Sequence, residues 1–181
     1  MKERAARAAA QSGITLIEVC IVIAVAMVLL GNVLPSFQAT LTRRTLEGHA
    51  AELAGDVQYL RSQAVSSHRT LRISFHTYNG GSCYVIHSGS AGDCGCNADG
   101  SPQCVSGAEA FKAVYFPSGR RVRLQSTVPS MVFDSVLGTT SPTGTMKLID
   151  DQGRAIHHVV NIMGRLRSCS PGGAIPGYKA C

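Results

Sequence analysis

The chain has 181 residues, 45% of them hydrophobic and 15% charged, with 7 cysteines and a formal net charge of +6. That length fits one domain with an appendage, and it excludes a barrel enzyme or a complete two-half dinucleotide-binding fold. Disordered chains are charge-rich and apolar-poor, so the composition excludes general disorder as well. A charged share this far below the usual level of about 25% directs attention to where the apolar residues lie.

They lie near the start. From Ile14 to Leu34 the chain reads ITLIEVCIVIAVAMVLLGNVL, with Glu18 as its one charge. About 20 apolar residues span a bilayer core as a helix. The preceding stretch carries Lys2, Arg4 and Arg7 against Glu3. This positive bias places the N-terminus in the cytoplasm and the chain beyond Pro35 outside, although Arg43 and Arg44 reduce the asymmetry. Two plain readings fit poorly. A removable secretory signal has a shorter apolar core and a small-residue cleavage site after it, and here Ala-x-Ala triplets occur only before or inside the run. A simple signal anchor leaves Glu18 unexplained, because a carboxylate in a bilayer costs a few kcal/mol and marks a functional position.

Gly13-Ile14-Thr15-Leu16-Ile17-Glu18-Val19 closely resembles the class III leader of type IV prepilins and type II secretion pseudopilins. The resemblance implies that a prepilin peptidase removes residues 1–13 on the cytoplasmic side, cutting after Gly13. Ile14 then becomes the N-methylated first residue, at a position where such families usually have Phe. Glu18 matches the conserved acid, and the resemblance implies that it meets the terminal amine of a neighbouring subunit during assembly. An unpaired charge in an apolar layer is costly, which gives that pairing its physical sense. Pro35 falls at the position of the helix-kinking proline and removes one helix hydrogen bond.

After Pro35 the pattern becomes amphipathic. Leu46, Ala50, Leu53, Val57, Leu60 and Ala64 recur at three- and four-residue steps, the signature of one buried helical face. We read one helix from about Ile14 to about Ser67. Residues 14–36 form its transmembrane and assembly half, and residues 37–67 the half that packs on a domain. The stripe is core, not a cofactor box. Gly48 and Gly55 cost helix propensity and are expected to permit close packing.

Residues 68–181 carry β-type punctuation. The apolar or alternating runs are Leu71–Phe75, Cys83–His87, Ala113–Phe116, Val122–Gln125, Met131–Ser135, Thr145–Ile149, Ile156–Ile162 and Leu166–Cys169. Turn-forming residues cluster between them. The fold class is α+β: a long N-terminal helix packed on a C-terminal antiparallel β-sheet domain. Val114-Tyr115-Phe116-Pro117-Ser118-Gly119-Arg120, Gly144–Asp150, Gly153-Arg154 and Gly164-Arg165-Leu166-Arg167 resemble segments of the GspH/FimT family of minor pilins and pseudopilins. The likeness is weakest between Asn79 and Glu109, where the cysteine-rich loops lie.

Six cysteines lie beyond the apolar run: Cys83, Cys94, Cys96, Cys104, Cys169 and Cys181. An even number fits disulfides in an oxidising periplasm, with 15 pairings open in principle. We expect Cys169 to join Cys181, and the other four to pair among themselves. Cys94-x-Cys96 does not have a usual zinc spacing, and His157-His158 alternate across one strand. No nucleotide-binding, zinc-protease or nucleophile-elbow motif is present. No enzyme activity, cofactor or metal is expected.

The remaining signal is basic. Arg120, Arg121 and Arg123 form one cluster, and Gly164-Arg165-Leu166-Arg167 another, with Lys179 beyond it. On a strand, Arg165 and Arg167 project to the same side about 7 Å apart. Gly164 would let a ligand approach the backbone. These arginines either solvate a strand edge or contact adjacent phosphates of one nucleic-acid strand. The Gly-Arg-x-Arg ending is similar to that of FimT-type minor pilins, and the resemblance implies sequence-independent binding of double-stranded DNA in natural transformation. It implies a minor pilin of a type IV pilus, held in a bacterial inner membrane with a periplasmic domain until it joins other pilins or pseudopilins in a filament. The alternative is the H-type pseudopilin of a type II secretion system, structural and without DNA binding.

Overall fold

The computed structural model describes residues 13–78, 80–97, 99–105 and 107–181, with the backbone alone at residues 32–36. Residues 1–12 of the expected leader therefore lie outside the described residues, as does the side chain of Pro35. The chain divides into two units, Met1–Thr40 and Leu41–Cys181. Helix α1 (Leu16–Ser66) has residues in both.

Helix α1 begins just past Gly13. Thr15 caps it: the Glu18 amide donates to the Thr15 carbonyl (3.1 Å) and to its Oγ1 (3.4 Å). A carboxylate in the first turn also suits the helix dipole. The apolar side chains from Ile14 to Leu30 are exposed, among them Ile14, Leu16 and Val22. Cys20 is a free, exposed thiol. Among the described residues no helix is long and apolar enough to cross a membrane. The helix is closed at His68, whose φ of 51° turns the chain while the Arg69 amide bonds back to the Ala64 carbonyl.

In the second unit the expected stripe is the core. Leu46, Ala50, Leu53, Val57, Leu60 and Ala64 are all fully buried. They join the inner faces of two sheets: Leu71, Ile73, Tyr84, Ile86, Met131 and Phe133 from one, and Val122, Leu124, Met146, Leu148, Ile156 and Val160 from the other. Gly48 and Gly55 do not serve close packing. Both are exposed, and a Cβ at either would meet nothing within 4 Å.

In chain order the strands begin with β1 (Leu71–Tyr78) and β2 (Gly81–His87). A small hairpin, β3 (Cys94–Cys96) with β4 (Pro102–Cys104), comes next. Then come β5 (Ala110–Pro117), β6 (Val122–Ser126), β7 (Ser130–Phe133) and β8 (Thr140–Ser141). The last four are β9 (Gly144–Asp150), β10 (Ala155–Val160), β11 (Leu166–Ser170) and β12 (Lys179–Ala180). The first sheet has the order β5-β2-β1-β7-β8, and the second the order β12-β11-β10-β9-β6. All pairings are antiparallel except β11 with β12. Strands β3, β4, β8 and β12 are too short to register as sequence runs.

Polar bonds fix the helix to each sheet. Tyr84 donates its hydroxyl to Asp56 (2.5 Å), and Lys112 Nζ reaches Asp56 (2.8 Å) and Glu52 (3.0 Å). Burial and the Asp56 carboxylate push the Tyr84 hydroxyl pKa upward, so it stays a donor. On the other side buried His158 bonds to the Ala50 carbonyl through Nε2 (2.9 Å) and to Ser168 Oγ through Nδ1 (2.8 Å). Burial lowers its pKa and keeps the ring neutral.

Three disulfides are formed. Cys83 joins Cys96 and ties the β3–β4 hairpin to β2, whereas Cys94 joins Cys104 across the hairpin itself. Cys169 joins Cys181 and holds the C-terminal segment beside β11. Closing a loop of that size contributes about 3 kcal/mol in the chain-entropy model. Replacing Cys169 and Cys181 together by serine should lower stability by roughly that amount, read as a lower urea midpoint, with a somewhat steeper slope because the uncrosslinked chain exposes more surface on unfolding. An unchanged midpoint would show that the bridge adds nothing to the fold.

Candidate nucleic-acid interface

Alternation decides what the second sheet shows to solvent. Residues 122 and 124 of β6, 146 and 148 of β9, and 156, 158 and 160 of β10 are buried toward the helix. Their neighbours must point outward. Register then aligns them across strands. Gln125 pairs with Lys147, Lys147 with His157, His157 with Cys169, and Cys169 with Lys179. One row thus crosses all five strands and carries Lys147, His157 and Lys179. Two residues along on one side, Thr145 pairs with Val159 and Val159 with Arg167. Two residues along on the other side, Arg123 pairs with Ile149 and Ile149 with Ala155.

The outer face therefore carries Arg123, Lys147, Arg167 and Lys179, and among the described residues no carboxylate occupies a paired outward position. Strands lie about 4.8 Å apart, so Lys147 and Lys179 stand about 14 Å apart across the sheet. His157 sits between them, and burial, followed by the charge of Lys147, lowers its pKa. Sequence reasoning missed Lys147 and His157 as members of this face. Alternation within β9 signals that Lys147 is outward, but the strands beside it cannot be read locally.

Arg165 and Arg167 are both exposed and flank Leu166, which packs against the core. They therefore project away from the core together. Arg167 and Lys179 line one open depression of about 530 Å³ with Val159 and Ser168. The Cys169–Cys181 bridge keeps Lys179 there. The second cluster is elsewhere. Arg123 lies on β6, and Arg120 and Arg121 just before it, at the edge of the sheet opposite β12. They line a separate cleft of about 560 Å³ with Tyr78, Asp150 and Asp151. Arg121 is also tied to the helix by a 2.8 Å bond to Thr42 Oγ1. The two basic clusters are thus opposite ends of one face and do not form a single site.

Gly164 requires a correction. It is buried, with φ of 68°, and a Cβ there would collide with the Gly138 carbonyl oxygen and lie 2.9 Å from Arg61 Nε. The close approach that glycine permits is to the chain's own neighbouring loop, not to an external ligand. Its second task is the left-handed conformation of the β10–β11 turn.

Nδ1 of His157 and the sulfurs of Cys169 and Cys181 cluster within 4.8 Å of one another. Both sulfurs are already joined to each other, so the thiolates a soft metal needs are not on offer. At the other end of the chain, Gly13, Ile14 and Glu18 are exposed, and no ion pair engages Glu18 among the described residues.

The chain matches no curated protein sequence. The fold is similar to that of the type IV minor pilin FimU of Pseudomonas aeruginosa PAO1 in its P21 crystal form. The TM-score is 0.51 at 21% identity, covering 75% of this chain and 96% of FimU. The P65 form of FimU gives a TM-score of 0.48 at 20% identity, over 74% and 98% of the two chains. Residues 49–164, which include the core half of α1 and most of both sheets, match the family model described as type II transport protein GspH. The chain belongs to the GspH family of pilin-like proteins.

Proposed function

We propose that this protein is a minor pilin of a type IV pilus that binds double-stranded DNA through the outer face of its second sheet. The observation that carries the reading is Lys147 and Lys179 on one row, with Arg165 and Arg167 beside it, on a face without paired carboxylates among the described residues. Such a face neutralises phosphates and has no geometry for reading bases, so binding is independent of sequence and sensitive to salt.

In this reading the prepilin peptidase cuts after Gly13, and Ile14 carries the methylated amine. The run from Ile14 to Leu34 holds the chain in the inner membrane, with the β domain in the periplasm. Glu18 pairs with the amine of the next subunit, and Pro35 adapts the helix to the filament. The protein acts as a filament subunit, in natural transformation, and not as an enzyme. The likeness to a type IV minor pilin and the three disulfides support this reading. The second reading, a pseudopilin of a type II secretion system, draws on the description of the matching family. Retardation of a random-sequence duplex by the full chain in detergent micelles at low salt separates the two. Binding that Arg165→Gln/Arg167→Gln removes supports the pilin, and no binding supports the pseudopilin.

A further inference from the structure

Four large apolar side chains stand out at one end of the β domain. Val136 is 72% exposed, Leu137 71%, Ile162 64% and Met163 54%. They sit at the tips of two loops, and exposed apolar groups gathered in this way mark an interaction site. Both loops are held from within. In the turn between β10 and β11, the Gly164 amide donates to the Asn161 carbonyl (2.8 Å) and the Arg165 amide to Asn161 Oδ1 (2.9 Å). In the other loop, the amides of Val136 and Leu137 donate to Asp134 Oδ1 (2.9 and 2.8 Å). The loops are also clasped to each other. The Thr140 amide donates to the Ile162 carbonyl (2.9 Å), Arg61 Nε donates to the Gly138 carbonyl (3.1 Å), and Gly164 lies against that same carbonyl.

A tip fixed in this way presents its apolar groups with little ordering left to do on binding. Its position suggests the occupant. Ile162 and Met163 cap the hairpin whose next residues are Arg165 and Arg167, so the apolar tip is continuous with the basic strand. A purely apolar partner gains nothing from two adjacent guanidiniums, whereas duplex DNA uses both features. Phosphates meet the arginines, and an isoleucine or methionine wedge enters between base steps from the minor groove. Unstacking a step costs a few kcal/mol, and the bend it permits brings more backbone onto the protein. The Asp134 carboxylate, the one acid in these loops, is engaged by the two amides it caps.

We propose that the clasped tip formed by Ile162 and Met163, backed by Val136 and Leu137, is a wedge that kinks double-stranded DNA lying on the basic face. The proposal rests on the DNA-binding reading above and adds its mode. The test uses the full chain in detergent with a duplex of about 30 base pairs, labelled at both ends, and with the same duplex carrying a two-nucleotide bulge. Wild type should draw the ends together and prefer the bulged duplex by about tenfold, since the bulge has already been unstacked. Ile162→Ser/Met163→Ser should lose both the bend and the preference, and should flatten the salt slope for the straight duplex, because the backbone contacts that the bend brings go with it. Val136→Ser/Leu137→Ser should weaken both. All four side chains are exposed, and an unchanged melting temperature confirms folding.

Bending and bulge preference that persist in both variants overturn the proposal. So do variants that bend DNA normally but fail to enter filaments, because the tip is then a protein-docking surface. DNA binding that depends on Arg165 and Arg167 without any bend overturns the wedge alone. No binding by wild type overturns the wedge together with the reading beneath it.

Discussion

Arg165→Gln/Arg167→Gln should weaken duplex binding by about 100-fold or more at low salt, since each charge-assisted contact to phosphate contributes roughly 1.5–3 kcal/mol and two are lost. The salt dependence should change with it. Each phosphate contact contributes about 0.9 to the slope of log affinity against log salt, so losing two should flatten the slope by about 2. The loss should be equal for unrelated sequences, because these contacts position the protein without reading bases. Neither arginine joins an ion pair among the described residues. The melting temperature should therefore not move. Arg165→Lys/Arg167→Lys should restore much of the slope and less of the affinity, since lysine keeps the charge and loses the planar fork. An unchanged affinity for the glutamine variant would mean that the two arginines only guard a strand edge.

Glu18→Ala should abolish incorporation into filaments while leaving the protein in the membrane. Glu18 lies in the first turn of α1, four residues from the amine that cleavage would create at Ile14. It has no ion-pair partner among the described residues, and in an apolar layer its charge would need one. Under the proposed function a neighbour's terminal amine would supply it, and a charge left buried without a partner costs several kcal/mol. The local role of Glu18 at the helix start is smaller. The bonds to Thr15 use its backbone amide, and the dipole effect is about 0.3–1 kcal/mol. Glu18→Gln keeps size and backbone bonds and removes the charge. It should fail as Glu18→Ala does, and Glu18→Asp should partly assemble. Sheared filaments probed for the variant read the outcome. Normal levels of the alanine variant would remove the ion-pair account.

The two ends of the chain were legible in the sequence to different degrees, for a physical reason. The helix stripe from Leu46 to Ala64 was fully readable, because its period is local. The Cys169–Cys181 bridge was also readable, because the intervening segment is short and both residues lie outside the cysteine-rich loops. The pairing of Cys83 with Cys96 and of Cys94 with Cys104 was not. It depends on a hairpin of two three-residue strands that has no apolar run to announce it. The division of strands between two sheets was equally hidden. β6 and β7 are neighbours in sequence and lie in different sheets. That division moves Arg123 to the far edge from Arg167, and it brings Lys147 and His157 into the row with Lys179. Gly164 was legible as a special position, but its reason lies in Gly138 and Arg61, far away in sequence.

The sharpest test for DNA on the outer face of the second sheet is acetylation of the lysines of the full chain with and without bound duplex. Lys147 and Lys179 are on that face. Lys112 is on β5 of the other sheet, paired with Glu52 and Asp56, and serves as the internal control. DNA seated on the face should slow acetylation of Lys147 and Lys179 and leave Lys112 unchanged. Equal labelling of Lys147 and Lys179 with and without DNA, or protection of Lys112 alone, would place the duplex elsewhere and contradict the interface.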